Sequence, residues 1–148
     1  MNIQEIATIF TKPFIVSFFI SAVSTPAVIK LFAKKGWLDN PKKKNRENTV
    51  HTYPVPRGGG IPIFLAILAA SLLFIQPDKQ LIAILSAVLL TLLVGIVDDI
   101  FDISPYLRFF TNILAALIIV NAGIQVKFIS NPFRLGEVIY FNNFLPPQ

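Results

Sequence analysis

Three aspartates follow a long apolar run in this sequence: Asp98, Asp99 and Asp102. Acids are costly next to hydrocarbon, and negative charge at the C-terminal end of a helix opposes the helix dipole. Binding a cation offsets both penalties. Mg²⁺ in proteins takes one or two carboxylates and completes its shell with water and substrate phosphates, while one acid is also suited to act as a base. The structural alternative is a solvated acidic loop in which Asp102 helps to cap the next helix.

A glycine-rich segment is the second candidate for chemistry. Arg57 is followed by Gly58, Gly59 and Gly60, and an apolar run begins directly afterwards. Glycines allow close backbone approach, and the start of a helix offers N–H groups to an anion, so the segment predicts an anion cradle. Pro56 fixes the backbone just before it and favours a shaped loop. A flexible junction between loop and helix is the other interpretation.

Three further basic features, one histidine, one cluster and one arginine, have a less specific pattern. His51 is the only histidine, and its spacing assigns it no role. The cluster of Lys42–Lys44 with Arg46 is best explained by membrane orientation and contact with anionic lipid, with direct substrate contact as the alternative. Arg108 follows the acids closely enough to face Asp98 or a phosphate, and it can also snorkel to the membrane surface.

The composition indicates an integral membrane protein. Of 148 residues, 54% are hydrophobic and only 14% charged, and the mean hydropathy is +0.67. There is no cysteine, which excludes disulfides and thiolate metal sites. Seven of the thirteen lysines and arginines fall between Lys34 and Arg57. A basic run between two membrane spans is an orientation signal, so we expect no nucleic-acid partner.

Apolar runs predict an all-α integral membrane protein with four transmembrane helices, at about 13–33, 59–75, 81–97 and 106–124. Asp98 is expected to end the third helix, and Ser104 with Pro105 reads as the N-cap and first residue of the fourth. The tail, 125–148, is expected to be mostly loop, with a short strand near 138–141. Because the second and third runs are short, helices buried in a soluble core are the alternative.

The basic loop at 34–57 sets the predicted orientation, because positive loops stay in the cytoplasm. The N-terminus and the tail at 125–148 are then outside, and residues 1–148 form one membrane domain. The acidic cluster, the glycine-rich segment and the starts of the second and fourth helices all fall on the cytoplasmic side. This arrangement predicts oxygen ligands for a cation and donors for phosphate at the membrane surface.

The paired motifs at 51–61 and 95–102, with Arg108 and Asn112 downstream, resemble the polyprenyl-phosphate N-acetylhexosamine-1-phosphate transferase family, glycosyltransferase family 4. This family includes enzymes that start lipid-linked synthesis of lipopolysaccharide O-antigen, enterobacterial common antigen and wall teichoic acid, and the phospho-MurNAc-pentapeptide translocase. Asp102 and the Pro54–Arg57 loop are more similar to the branch that transfers N-acetylglucosamine 1-phosphate (GlcNAc-1-phosphate).

The resemblance implies a Mg²⁺-dependent transfer, with Mn²⁺ as an alternative ion, in a bacterial cytoplasmic membrane. A polyprenyl (undecaprenyl) phosphate attacks a UDP-N-acetylhexosamine and releases UMP. By position in the motifs, Asp98 and Asp99 would be catalytic, and both would serve the metal site with Asp102. The implied substrate-binding residues are His51, Pro56, Arg57, Gly58, Gly59, Gly60, Arg108 and Asn112, the last standing where the family more often has glutamine.

Length is where the sequence departs from the family. Members have about ten spans and further acidic and basic loops, so we expect this chain to be the N-terminal part of a larger transferase. A non-catalytic membrane fragment or interaction protein is the first rival hypothesis. A four-helix transporter, assembled as a homodimer, is the second, but it would want an acid in mid-span, and the first three runs have none away from their ends.

Overall fold

The computed structural model describes residues 2–39, 53–124, 126, 128–130 and 138–140. Helices make up most of this part of the chain: α1 Ile3–Lys35, α2 Gly60–Phe74, α3 Lys79–Phe101 and α4 Pro105–Asn121. Two antiparallel strand pairs accompany them, one of β1 (Leu38–Asp39) with β2 (Val55–Pro56) and one of β3 (Phe128–Ser130) with β4 (Val138–Tyr140).

Two of the four helices have the length of a membrane span, and all four expose apolar side chains. α1, over Ala7–Lys35, and α3 are long and apolar enough to cross a membrane, whereas α2 and α4 are shorter apolar helices. Large apolar side chains are exposed along all four, for example Phe10 (71%), Leu73 (67%) and Phe109 (67%). An apolar surface of this extent suits hydrocarbon rather than water. The mostly helical architecture therefore agrees with the predicted class, while the crossing of all four helices and their orientation stay predictions.

Helix α1 begins ten residues before the predicted span and continues through Pro13 and Pro26. Proline removes one backbone donor and crowds the preceding turn, but transmembrane helices tolerate it where hydroxyl groups bond the carbonyls nearby. Beside Pro26, the hydroxyl of Ser24 donates to the Ile20 carbonyl at 2.6 Å and that of Thr25 to the Ser21 carbonyl at 2.7 Å.

The end of α1 folds back on itself and directs the chain into β1. Gly36, at φ 72°, adopts the left-handed conformation that stops the helix, and the Trp37 amide donates to the Phe32 carbonyl at 3.0 Å. The Trp37 ring then meets the Phe32 ring edge to face, with centroids 5.2 Å apart. Phe32 is 1% exposed and is the most deeply buried large side chain among the described residues.

The end of α3 corrects one prediction. The helix does not end at Asp98 but runs through Asp98 and Asp99 to Phe101, and Asp102 closes it at φ 55°. Asp102 thus ends the last turn of α3, and its amide donates to the Asp98 carbonyl at 2.8 Å, as in a regular helical turn. The turn redirects the chain at once, so that α4 starts beside the last turn of α3.

The start of α4 and the strand near 138–141 follow the predictions. Ser104 is the N-cap of α4, its hydroxyl accepting from the Tyr106 amide at 3.3 Å, and Pro105 is the first helical residue. β4 is found at Val138–Tyr140, whereas its partner β3 was not predicted. At the other end of α3, the Asp78 carboxylate caps the helix by accepting from the Leu81 amide at 2.7 Å.

Candidate active site

The two motifs of the sequence meet through one hydrogen bond. The backbone amide of Gly58 donates to Oδ2 of Asp99 at 3.1 Å, across 41 residues of sequence. Gly58 is buried at φ 97°, and a Cβ placed there would lie 2.5 Å from the Phe32 ring. Both the backbone angle and the close ring require glycine at this position. The glycine-rich segment thus packs between Phe32, at the end of α1, and the acidic end of α3.

Asp98 is held by the start of α4. Its Oδ1 accepts from the Ile103 amide at 3.1 Å and lies 3.2 Å from Nη2 of Arg108. The Asp98 side chain is 14% exposed, whereas that of Arg108 is 50% exposed. The guanidinium thus contacts Asp98, one of the two partners predicted for it, while half of the Arg108 side chain remains exposed. Its contact with a phosphate stays a prediction.

Arg57 is fixed by a residue that the sequence patterns did not single out. Its Nη2 donates to Oδ2 of Asp39 at 2.6 Å, with both side chains about one-fifth exposed. The hydrogen bond from Arg57 to Asp39 raises the pKa of the guanidinium, and the charges of Asp39, Asp99 and Asp102 add to this. Arginine is charged throughout the neutral range in any environment, so the consequence of this pair is the fixed position of the Arg57 guanidinium.

The pairing of β1 with β2 explains how Asp39 reaches Arg57. Asp39 lies opposite Val55 and Leu38 opposite Pro56. This pairing brings the segment that follows α1 next to the segment that precedes α2. Only two residues pair on each side, too few for an alternating apolar pattern to appear in the sequence. The one feature of the sequence that could have indicated the contact between Asp39 and Arg57 is the position of Asp39, an acid between the first span and a strongly basic loop.

A cavity of about 450 Å³ opens between α2 and α3 at this end of the molecule. Its mouth is polar, with Asp98, Asp99, Arg108 and the backbone of Gly58 and Gly60. Its deeper walls are almost entirely apolar. The size falls within the range of small-molecule sites, which combine an apolar lining with a few convergent polar groups. The deeper lining consists of Ile63, Phe64, Ile67, Val88, Thr91, Leu92, Gly95 and Ile96.

The remaining site predictions fall into three groups. Arg57 and Pro56 lie just outside the cavity in the β2 region, and Gly59, the exposed N-cap of α2, makes no side-chain capping bond. Asn112 is exposed on α4 and does not line the cavity. His51 lies outside the described residues, as do Lys42–Lys44 and Arg46.

The motif contains three aspartates, but only two of them, Asp98 and Asp99, lie together at the cavity. Among the described residues no three acids or histidines lie close enough to hold one metal ion. Asp98 and Asp99 both line the cavity mouth, whereas Asp102 lies in the turn beyond them. Two carboxylates facing a cavity fit Mg²⁺, which usually takes one or two protein carboxylates and fills its shell with water and phosphate oxygens. The metal role of the three aspartates stays a prediction.

Comparison with known proteins agrees with this geometry. Residues 81–145, which contain the three aspartates and Arg108, match the profile of glycosyl transferase family 4. The chain belongs to glycosyl transferase family 4. The match begins in α3 and leaves the glycine-rich segment to be compared through individual relatives.

The alignments with individual relatives extend over most of this chain. A Bacillus subtilis (strain 168) protein named "Probable undecaprenyl-phosphate N-acetylglucosaminyl 1-phosphate transferase" is 31% identical over 133 residues, 86% of this chain and 36% of its own length. A Pasteurella multocida (strain Pm70) undecaprenyl-phosphate alpha-N-acetylglucosaminyl 1-phosphate transferase is 29% identical over 106 residues, 71% of this chain and 29% of its own.

An archaeal relative bears a different lipid in its name. A Sulfolobus acidocaldarius protein, provisionally named a UDP-N-acetylglucosamine–dolichyl-phosphate N-acetylglucosaminephosphotransferase, is 32% identical over 132 residues, 84% of this chain and 38% of its own. The chain thus spans about a third of the length of the curated relatives it matches. No solved structure matches it significantly.

Proposed function

We propose that this chain carries part of the active site of a membrane enzyme that transfers GlcNAc-1-phosphate from its UDP-sugar to undecaprenyl phosphate. The observation that carries the proposal is the hydrogen bond from the Gly58 amide to Asp99. It joins the glycine-rich segment to the acidic end of α3, beside a cavity that also contains Asp98 and Arg108. The names of the relatives supply the reaction, because three of them describe the transfer of this sugar phosphate to a lipid phosphate.

In the proposed reaction, an oxygen of the lipid phosphate attacks the sugar-linked phosphorus of UDP-N-acetylglucosamine. A new phosphorus–oxygen bond forms, the bond to the uridine-bearing phosphate breaks, and UMP leaves with the electron pair. Transfer between phosphates needs in-line positioning and neutralisation of negative charge rather than a protein nucleophile. Mg²⁺, or Mn²⁺ in its place, would supply that neutralisation when bound.

The described residues divide this work between them. Asp98 and Asp99 would hold the metal at the cavity mouth, and Asp98, beside Arg108, would also orient the attacking phosphate. Arg108 would contact a phosphate oxygen through the donors that it presents outward. Arg57, fixed by Asp39, would add positive potential near Asp99. Asp102, His51 and Asn112 keep their predicted roles in the metal and substrate sites.

The proposal includes the predicted location and topology. Four crossings by α1 to α4 would place the ends of α1 and α3 and the starts of α2 and α4 on the cytoplasmic face of a bacterial membrane. The product would start lipid-linked synthesis of a cell-envelope polysaccharide. The rival, a non-catalytic membrane protein, is not favoured, because it gives no reason for the two motifs to meet.

The proposal is tested by measuring UMP release from UDP-N-acetylglucosamine in phospholipid nanodiscs with undecaprenyl phosphate and Mg²⁺, using a chimera in which this chain replaces the aligned segment of the Bacillus subtilis relative. We expect one UMP for each lipid-linked sugar, loss of release with EDTA, and a loss of at least about a thousandfold in Asp98→Asn, because that variant lacks a charge needed in the transition state.

Asp78→Asn is the matched control, since Asp78 is an acid at the opposite end of α3 and asparagine caps helices as well as aspartate does. It should release UMP at the wild-type rate. Absence of UMP release by the chimera, with the intact relative active under the same conditions, would favour the non-catalytic rival, and full activity of Asp98→Asn would remove Asp98 from the reaction.

A further inference from the structure

A groove on the surface of α1 shares no described lining residue with the cavity between α2 and α3. Its volume is about 440 Å³, and its lining is apolar or small: Phe19, Ile20, Val23, Ser24 and Ala27. Val23 is 72% exposed, so the described chain leaves the groove open. The Ser24 hydroxyl donates to two carbonyls of its own helix, those of Ile20 at 2.6 Å and Ser21 at 3.4 Å. The groove therefore suits an apolar ligand.

Two lysines continue the line of this groove toward the end of α1. Side chains at intervals of three or four residues lie on one face of a helix. The groove and the lysines form such a series: Phe19, Val23, Ala27, Lys30 and Lys34. Both lysines are exposed, and neither forms a salt bridge with an acid among the described residues. They place two positive charges at one end of an apolar groove.

The dimensions of this face match one leaflet of a lipid bilayer. At 1.5 Å of rise per residue, the groove extends about 12 Å along α1 from Phe19 to Ala27, and one leaflet contributes about 15 Å of hydrocarbon. Lys30 lies about 27 Å along the helix from Lys12, which is close to the full hydrocarbon thickness of about 30 Å. With α1 across the membrane, Lys30 and Lys34 lie at the level of the lipid headgroups, and the groove faces acyl chains.

This face points away from the candidate active site. Lys30 and Lys34 each stand two residues from Phe32, which places them about 160° around the helix from it. Phe32 is the side chain that meets Gly58, and neither lysine lines the cavity that contains Asp98 and Asp99. A lipid phosphate held by Lys30 and Lys34 is therefore remote from the reacting groups, so the acceptor of the transfer reaction is not its occupant.

An anionic membrane phospholipid matches both parts of the face. Its phosphate carries the charge that lysines attract at a membrane surface, and one of its acyl chains can follow the groove. A second copy of this chain fits less well, because a two-fold pair in one membrane would bring the same lysines of both copies together.

We propose that this face of α1 is a binding site for an anionic phospholipid, with Lys30 and Lys34 at the headgroup and the groove around one acyl chain. The site is independent of the transfer reaction, and none of the relatives' names describes it. A lipid bound there holds the end of α1, from which Phe32 packs against Gly58, at a fixed depth in the membrane.

Native mass spectrometry of the purified chain, released from detergent after incubation with equal amounts of two lipids, tests this directly. Palmitoyl-oleoyl phosphatidylglycerol and palmitoyl-oleoyl phosphatidylcholine have the same acyl chains but differ in net charge, so the ratio of the bound forms measures selection by the headgroup. We expect a preference of about tenfold or more for phosphatidylglycerol, because two lysines attract it. Neither glycerol 3-phosphate, which lacks the chains, nor undecaprenyl phosphate should displace it.

Two variants remove the two parts of the site separately. Lys30→Gln/Lys34→Gln should reduce the preference to about twofold or less, whereas Lys12→Gln/Lys79→Gln, which changes the net charge equally at exposed positions near the starts of α1 and α3, should keep it.

Ala27→Phe fills the groove and should weaken phosphatidylglycerol binding about tenfold. Ala22→Phe is its control, because it adds the same ring at an exposed position of α1 that does not line the groove. Circular dichroism verifies that each variant keeps its helix content.

Loss of the headgroup preference in the lysine variant, with weakened binding in Ala27→Phe and unchanged controls, supports the proposal. An undiminished preference in the lysine variant would assign the selection to another basic region, and undiminished binding by Ala27→Phe would show that no acyl chain occupies the groove. Displacement by glycerol 3-phosphate would indicate a site for a free anion, and displacement by undecaprenyl phosphate a site for the acceptor. Lipid-free dimers would indicate that a second copy covers the face. Each of these last five results, or a wild-type chain without any preference, would overturn the proposal and leave the transfer reaction to be judged by UMP release.

Discussion

Two helix starts meet the acidic end of α3, and they are supported in different ways. At the start of α4, Ser104 caps the first turn with its own hydroxyl, and the adjacent Ile103 amide donates to Asp98, five residues back. At the start of α2, Gly59 makes no side-chain capping bond, and the Gly58 amide donates to Asp99, 41 residues ahead. Both amide–carboxylate distances are 3.1 Å. One junction is local, whereas the other depends on tertiary structure.

The difference indicates which helix start can receive a ligand. The first N–H groups of a helix need partners, and a capped start already supplies one of them from its own side chain. α4 is satisfied in this way, so its contribution to the site is the Arg108 side chain. α2 has no side-chain cap and begins at the cavity mouth. In its first turn the Ile61 amide already donates to the Gly58 carbonyl at 3.1 Å and Pro62 has no N–H, so the Gly60 amide is the donor suited to a phosphate oxygen. The conformation of the chain at the start of α2 depends on the contacts of Gly58 with Phe32 and Asp99.

The largest effect is expected from Gly58→Ala, which breaks the tertiary junction. A methyl group at φ 97° and 2.5 Å from the Phe32 ring combines backbone strain with overpacking, for a loss of about 3 kcal/mol in the free energy of unfolding. Urea unfolding in detergent, followed by circular dichroism, measures it. Gly59→Ala is the control, because its Cβ meets nothing within 4 Å. Equal stability of the two variants would show that the close approach of Phe32 does not constrain this segment.

A smaller and more local effect distinguishes the two carboxylates. Asp99→Asn replaces a charged acceptor by a neutral one, which weakens the bond by about 1 kcal/mol. Hydrogen exchange of the Gly58 amide, resolved in samples labelled with ¹⁵N at glycine and isoleucine, should accelerate about fivefold. Asp98→Asn should leave Gly58 protected and accelerate the Ile103 amide instead. Acceleration of both amides in either variant would mean that the two junctions open together.

The smallest effect is expected at the local junction. Ser104→Ala removes the cap of α4 and should cost about 1 kcal/mol or less, because the residue is exposed and water can replace the hydroxyl. The same urea titration detects the change, and Ser104→Thr, which keeps the hydroxyl, should restore stability. UMP release should stay within twofold of the wild-type rate. A large loss of activity would indicate that α4, like α2, presents its first turn to substrate.

The features that the sequence predicted correctly are those encoded by long runs or by local capping chemistry. Apolar segments far longer than a strand indicated the helices, and Ser104 with Pro105 marked the start of α4 within one residue. The meeting of the glycine-rich and acidic motifs was also predictable. Helices that cross a layer in alternate directions bring the end of α3 to the same side as the start of α2.

The features that were missed depend on tertiary contacts or on single backbone angles. Asp39 reaches Arg57 through a pairing of two residues per strand, which leaves no periodic signal. The end of α3 was predicted at Asp98, but the helix continues to Phe101. Asp102 ends it in a left-handed conformation that few residues other than glycine adopt, asparagine and aspartate among them. The early start of α1 was obscured because residues 2–12 mix polar and apolar side chains.

The packing of Phe32 gives this junction an optical reporter. Trp37 is the only tryptophan in the chain, and its ring is in edge-to-face contact with the ring that lies against Gly58. Indole emission shifts with the polarity of its surroundings, and no second indole contributes to the signal. The intrinsic tryptophan fluorescence of the unlabelled chain therefore reports directly on whether the end of α1 remains packed against the glycine-rich segment.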